Sequence, residues 1–191
     1  MCVFVCVCVC VCVCAHPPGR DRLPFIPSRG PNHRDELSRN LFLSNYNSYD
    51  GFDTDDQSAY FHMKDNVLLY GHFLKSDYSG HSIEFENDLS VFGGPSNQYQ
   101  AVPPSHPNSV HDSVMISATD GDILISEVCP DASDWPRIYN MRLYSPEAKA
   151  TVCGEPLAHW QAQGKLTNVT VAVLPNSSAT ILAWARATLG M

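Results

Sequence analysis

The chain has 191 residues, enough for one domain with a buried core. Its formal net charge is −8, from 20 Asp and Glu against 12 Lys and Arg. That balance argues against nucleic acid as a partner, because phosphate binding needs a basic face. It suits a cation site, a sugar-binding surface, or simply a solvated acidic surface.

Residues 1–15 are an apolar Cys–Val alternation holding six of the eight cysteines. A (TG)n dinucleotide repeat encodes this pattern, so the segment reads either as a gene-prediction artefact or as a signal-like head. Val13-Cys14-Ala15 would serve as a cleavage site, although a basic flank is missing. The segment is too short for a stable membrane span. Residues 16–36 are rich in Pro, Arg and Gly, carry no apolar period, and read as a disordered linker.

From residue 37 to residue 152 the texture changes. Asn40-Leu-Phe-Leu-Ser44, Asn66-Val-Leu-Leu-Tyr70 and Asn87-Asp-Leu-Ser-Val-Phe92 are short apolar runs that open on Asn. Val114-Met-Ile-Ser117, preceded by Asp112, and Asn140-Met-Arg-Leu-Tyr144 continue the series. Their starts lie about 21 to 28 residues apart, near the period of a solenoid coil. Each run is bounded by Gly, Asn, Asp or Ser, and no helical period lies between them. The expected fold is all-β: a right-handed parallel β-helix in which stacked coils bury a continuous core. A β-sandwich is the competing architecture, since it also uses short strands with regular turns. Asn at a strand entry has two uses. It tolerates the left-handed backbone of a tight corner, and its amide can bond to the equivalent amide one coil away.

Residues 153–191 read as helical and as a cap on the last coil. Gly154-Glu-Pro-Leu-Ala-His-Trp-Gln-Ala-Gln-Gly164 predicts one or two helical turns, with Pro near the start and Gly at the end. A terminal helix follows Asn176. Ser177 or Ser178 is its N-cap, Gly190 its stop, and Ile181, Leu182, Ala185 and Leu189 its apolar stripe. Beyond the repeat head, Cys129 and Cys153 form either one disulfide or two separate buried thiols. Asn168-Val-Thr170 and Asn176-Ser-Ser178 are glycosylation sequons, which point towards an extracellular, secreted protein.

Three stretches carry a resemblance. Arg39-Asn-Leu-Phe-Leu-Ser-Asn-Tyr-Asn47, Asp53-Thr-Asp-Asp-Gln-Ser-Ala-Tyr-Phe-His62 and Lys75-Ser-Asp-Tyr-Ser-Gly-His81 together resemble a group of right-handed parallel β-helix proteins of the pectin-lyase-like kind. The tail from Val152 to Gly164, followed by Ala183-Trp-Ala-Arg-Ala-Thr-Leu-Gly190, is similar to the end of such proteins. The resemblance covers about residues 37 to 191. It implies a C-terminal piece of a longer solenoid whose earlier coils are replaced by the repeat head. The fold hosts lyases, hydrolases, epimerases and adhesins, so the resemblance speaks to architecture more than to reaction.

The candidate chemistry sits in Asp53-Thr-Asp-Asp56. Two carboxylates at a suitable separation run glycoside hydrolysis, one as acid and one as base. Asp55 and Asp56 are the candidate catalytic carboxylates, with Lys75 and His81 as candidate proton-transfer groups about one coil further on. Asp53, Asp55 and Asp77 supply hard oxygen ligands suited to Ca2+. The resemblance implies that such an ion would neutralise the sugar carboxylate of a uronate polymer while Lys75 or His81 takes the proton. It also implies a hydrolase pattern, an Asp pair followed by Gly-His-Gly. Here Ser82 replaces the last Gly, and only Arg137-Ile-Tyr139 stands where that family has Arg-Ile-Lys. His62, Tyr60 and Tyr78 are candidate substrate contacts, the aromatic rings by stacking on sugars.

The expected function is binding or processing of an acidic polysaccharide, in a lyase- or epimerase-like way. The alternatives are a pectinase-like hydrolase and a non-catalytic solenoid surface or adhesion module. In the last of these, Asp and Asn only shape corners through Asx-turns. An open strand edge near Leu41–Leu43 predicts self-association.

Overall fold

The computed structural model describes residues 34–43, 58–70, 75–76, 80–93, 97–99, 105–123 and 135–191, with backbone only for 75–76 and 97–99. In chain order the strands begin with β1 (Asp35–Ser38), β2 (Leu41–Leu43), β3 (Phe61–Lys64), β4 (Val67–Leu69), β5 (Lys75–Ser76) and β6 (Glu84–Glu86). Next come β7 (Leu89–Val91), β8 (Asn97–Tyr99), β9 (Ser109–His111), β10 (Val114–Ile116) and β11 (Gly121–Asp122). The chain continues with β12 (Arg137–Tyr139), β13 (Arg142–Ser145), β14 (Ala150–Val152), β15 (Glu155–Pro156) and helix α1 (Leu157–Ala162). It closes with β16 (Leu166–Thr167), β17 (Thr170–Val173) and helix α2 (Ser178–Thr188).

These elements wind into a right-handed parallel β-solenoid of about four turns, not a sandwich. One sheet runs β1-β3-β6-β9-β12-β16 and a second runs β2-β4-β7-β10-β13-β17. All pairings in both are parallel, and each strand meets its counterpart from the next coil. A third face holds β5-β8 and β11-β14-β15. There β14 turns back on β15 in an antiparallel pair through Cys153 and Gly154, both at positive φ, which suits a two-residue hairpin.

The core follows from register. Met63, Phe85, Val110, Ile138 and Leu166 stack in one inward row of the first sheet, all buried. Leu68, Ser90, Met115 and Leu143 form the facing row of the second. Apart from Ser90, their neighbours above and below are also apolar, so each coil buries what it could not bury alone.

A two-residue corner joins the sheets in every coil. Its first position holds Arg39, Asp65, Asn87, Asp112, Asn140 and Asn168, all left-handed, with φ between 51° and 57°. An L-residue strains there, and Asn and Asp tolerate it best. These side chains also link coils on the outside: Asn87 donates to Asp65 at 2.7 Å, Asn140 to Asp112 at 3.0 Å and Asn168 to Asn140 at 2.9 Å. The second position makes a ladder inside. The backbone N–H of Asn40 donates to Asn66 Oδ1 at 3.0 Å, that of Asn66 to Asp88 Oδ1 at 2.6 Å, and that of Asp88 to Ser113 Oγ at 3.0 Å. The two uses expected of one Asn are thus divided between adjacent positions.

The helices cover different surfaces. Helix α1 packs beside β14, β15 and β16, with Leu157 buried in the main core and the Trp160 ring stacked on Trp135 at 4.4 Å. Helix α2 lies on the outer face of the second sheet. Ile181, Trp184, Ala185 and Leu189 pack against a cluster of Val67, Leu89, Val91, Val114 and Ile116. Ser177 caps it by accepting from Ala179 N–H, and Gly190 ends it at φ 73°. Trp184 belongs to its half-buried, sheet-facing stripe and Leu182 does not, being 53% exposed. No helix among the described residues is long and apolar enough to cross a membrane.

Candidate functional site

The outer face of the second sheet is apolar through β4, β7 and β10 and is covered there by α2. The outer face of the first sheet is its opposite. In β3, β6, β9 and β12 the middle residue enters the core and its neighbours point outward: His62 and Lys64, Glu84 and Glu86, Ser109 and His111, Arg137 and Tyr139. Parallel register sets these side chains in rows, one strand spacing of about 4.8 Å apart.

The rows form two linked groups. His111 is 6% exposed and held from both sides. Its Nδ1 is 2.7 Å from an Asp112 carboxylate oxygen, and its Nε2 is 3.0 Å from Glu84 Oε1. The imidazole lies flat on Tyr139, centroids 4.5 Å apart and planes 4° apart. A neutral imidazole donates through one nitrogen only, so its tautomer decides which of the two carboxylates receives that bond. The contact with His111 keeps the Asp112 carboxyl below its usual range. Glu84 also pairs with Arg34. One strand along, Glu86 accepts from Lys64 at 3.1 Å and meets His62 Nε2 at 2.8 Å. Burial pushes the Glu86 carboxyl up, but Lys64 and His62 together outweigh it, and the net shift is downward. Tyr139 is raised by burial first, then by the fields of Asp112 and Glu86, so its hydroxyl stays protonated.

A further group stands at the corner entering this sheet. The rings of His81 and His106, one coil apart, have centroids 5.3 Å apart, and Tyr60 meets them edge-on at 5.7 and 6.5 Å. At the other end, an open pocket of about 450 Å³ lies between β12 and β16, lined by Trp135, Arg137, Tyr139, Lys165 and Thr167 among others.

The residues singled out in the sequence meet mixed fates. Asp53, Asp55, Asp56, Asp77, Tyr78 and Cys129 lie outside the described residues, and Lys75 is described only as backbone in β5. His62 belongs to the Glu86 group, whereas Tyr60 and His81 belong to the corner group with His106. Cys153 is disulfide-bonded. Asn168 and Asn176 are exposed, and the Asn168 amide is engaged in the outer ladder. The ligands expected for Ca2+ fall outside the described residues. Among those described, no group of three or more His, Cys, Asp or Glu is placed to hold a metal ion.

Glu84, Glu86, His106, His111, Asp112, Arg137 and Tyr139 were not reached as a site by sequence reasoning. A signal for most of them exists. His62-Met-Lys64, Glu84-Phe-Glu86, Ser109-Val-His111 and Arg137-Ile-Tyr139 are polar–apolar–polar triplets, each separated by the two-residue corner from the second-sheet strand that follows. No family model matches the chain, and neither a curated protein nor a solved structure is similar to it.

Proposed function

We propose that the outer face of the first sheet binds and processes an acidic polysaccharide. The observation that supports this most is the His111 unit: an imidazole oriented by Asp112, facing Glu84, and backed by the Tyr139 ring. An oriented imidazole–carboxylate pair is the equipment for moving a proton in general acid–base chemistry. A flat parallel sheet presents such groups in rows, a surface suited to an extended polymer. Arg137 on the same face supplies positive charge for an acidic chain, whereas Arg34 and Lys64 are paired with Glu84 and Glu86. The reaction class is a lyase- or epimerase-like proton transfer. An extracellular site of action belongs to the same proposal, resting on the exposed Asn168 and Asn176 sequons and on the disulfide at Cys153.

The test is His111→Gln, with Glu84→Gln beside it, assayed for binding and turnover on uronate, sulfated and neutral polysaccharides. Loss of a positioned acid–base group is expected to cut turnover by roughly 100-fold or more while binding and folding persist. A wild-type protein that neither binds nor converts any of these polymers would refute the reading.

One set of observations favours a second reading, a non-catalytic binding module. Asp65, Asp112, Asp120 and Asp122 all make hydrogen bonds to the next coil. Corner carboxylates therefore have structural work that needs no ligand. Full binding by the His111→Gln protein, with no turnover by either protein, would select this reading.

A further inference from the structure

We infer that the pocket between β12 and β16 is a subsite for an anionic ring-sized group, a sugar bearing one carboxylate or sulfate. The inference rests on the reading of the first sheet as the ligand face and adds to it a place and a charge. The pocket holds about 450 Å³, within the range of small-ligand sites. Its charged lining residues are Arg137 and Lys165; no Asp or Glu lines it among the described residues, in a chain whose net charge is −8.

Register explains how the cations meet. Ile138 pairs with Leu166 and Tyr139 with Thr167, so Arg137 at the start of β12 and Lys165 just before β16 lie at the same level of neighbouring coils. Arg137 is exposed and makes no ion pair among the described residues. A guanidinium at a cavity mouth is the group best shaped for two-point recognition of a carboxylate or sulfate. Tyr139 and Thr167 add hydroxyls on the same side. Trp135 gives an aromatic wall held by its stack on Trp160, and the Lys165 ammonium lies 5.7 Å from the Trp135 ring centroid.

The position relative to the His111 unit is what makes the pocket useful. Tyr139 both lines the pocket and stacks on His111, so the pocket meets the His111 unit through the Tyr139 ring. A polymer anchored at this end would run along the rows of the first sheet towards Glu86 and His62.

The experiment is calorimetric titration of the full chain with an oligogalacturonide, a sulfated galactan oligosaccharide and a neutral galactan oligosaccharide, at low and raised salt. Binding of an anionic probe and none of the neutral one is expected, weakening as salt rises. Comparing carboxylate with sulfate identifies the anion. Arg137→Gln is expected to weaken binding at least about tenfold, and Arg137→Lys to recover part of it. Arg137→Gln that binds like wild type, or equal binding of the neutral probe, would overturn the inference. If the wild-type chain then still turns over a uronate polymer and Glu84→Gln loses that turnover, the reading of the sheet face survives without the pocket. If none of the three oligosaccharides binds, both fall.

Discussion

Asp88 is a carboxyl group in a position made for an amide. It is 1% exposed and occupies the inner corner ladder between Asn66 and Ser113. Its Oδ1 accepts from Asn66 N–H, while its Oδ2 has no partner among the described residues. Asn66, at the same position one coil earlier, uses its amide N–H to donate to Leu37 O. Burial pushes the Asp88 pKa up to about 8, only partly offset by its bonds from Asn66. The native state therefore holds this proton more tightly than the unfolded chain, whose Asp titrates near 4. Stability from this group is complete below about pH 4, falls as pH rises towards 8, and is flat above, at up to about 1.4 kcal/mol per pH unit. The lowered groups Asp112 and Glu86 act in the opposite sense and only at the acid end. Asp88→Asn keeps the ladder and removes the titration, so its urea stability is expected to be nearly level between pH 5 and 8. An unchanged slope in that variant would show that Asp88 is ionised in the fold.

At the scale of elements, the second sheet owes its double-sided apolar character to α2. An exposed sheet face normally alternates with polar residues, but Val114, Met115 and Ile116 are all buried, Met115 inward and the other two under the helix. Trp184 sits at the centre of that contact, 5.1 Å from the Tyr144 ring. Trp184→Ala is expected to cost about 2 kcal/mol, since the side chain is only partly buried, and to expose apolar surface that binds a hydrophobic dye. Leu182→Ala is the matched control on the solvent side and should do neither. A Trp184→Ala protein as stable as wild type would mean that the helix merely rests on the sheet. The same coverage explains which strands could be read from the sequence. The fully apolar runs of the second sheet stood out at Asn66, Asn87 and Asn140. The triplets of the first sheet did not, because three residues of alternation are too short to separate from chance.

For the whole molecule, β1 and β2 are the end strands of the two large sheets, each paired on one side among the described residues. Leu41 and Leu43 next to that edge are 38% and 43% exposed. Parallel end strands with apolar flanks favour edge-to-edge association. Sedimentation velocity should show concentration-dependent oligomers, reduced by Leu43→Lys. A single monomeric species throughout the range would contradict this. Architecture at this scale was legible: the spacing of the runs, the corner residues and the C-terminal helix with Ser177 and Gly190 all hold.

What the sequence determined by itself was everything that repeats locally. The left-handed corner favours Asn or Asp, the inward row favours an apolar residue, and the last helix needs its cap and stop. These requirements act within a few residues. The site belongs to another class. His111 meets Glu84 across 27 residues and His62 meets Glu86 across 24. Coil lengths vary, with ladder partners 22 to 28 residues apart, so no fixed spacing marks such pairs. Only strand register, set by how the core rows stack, decides which polar residues share an outer face. That is why the acidic cluster could be noticed in the sequence, whereas the His111 unit and the Arg137 pocket emerged only from the stacked coils.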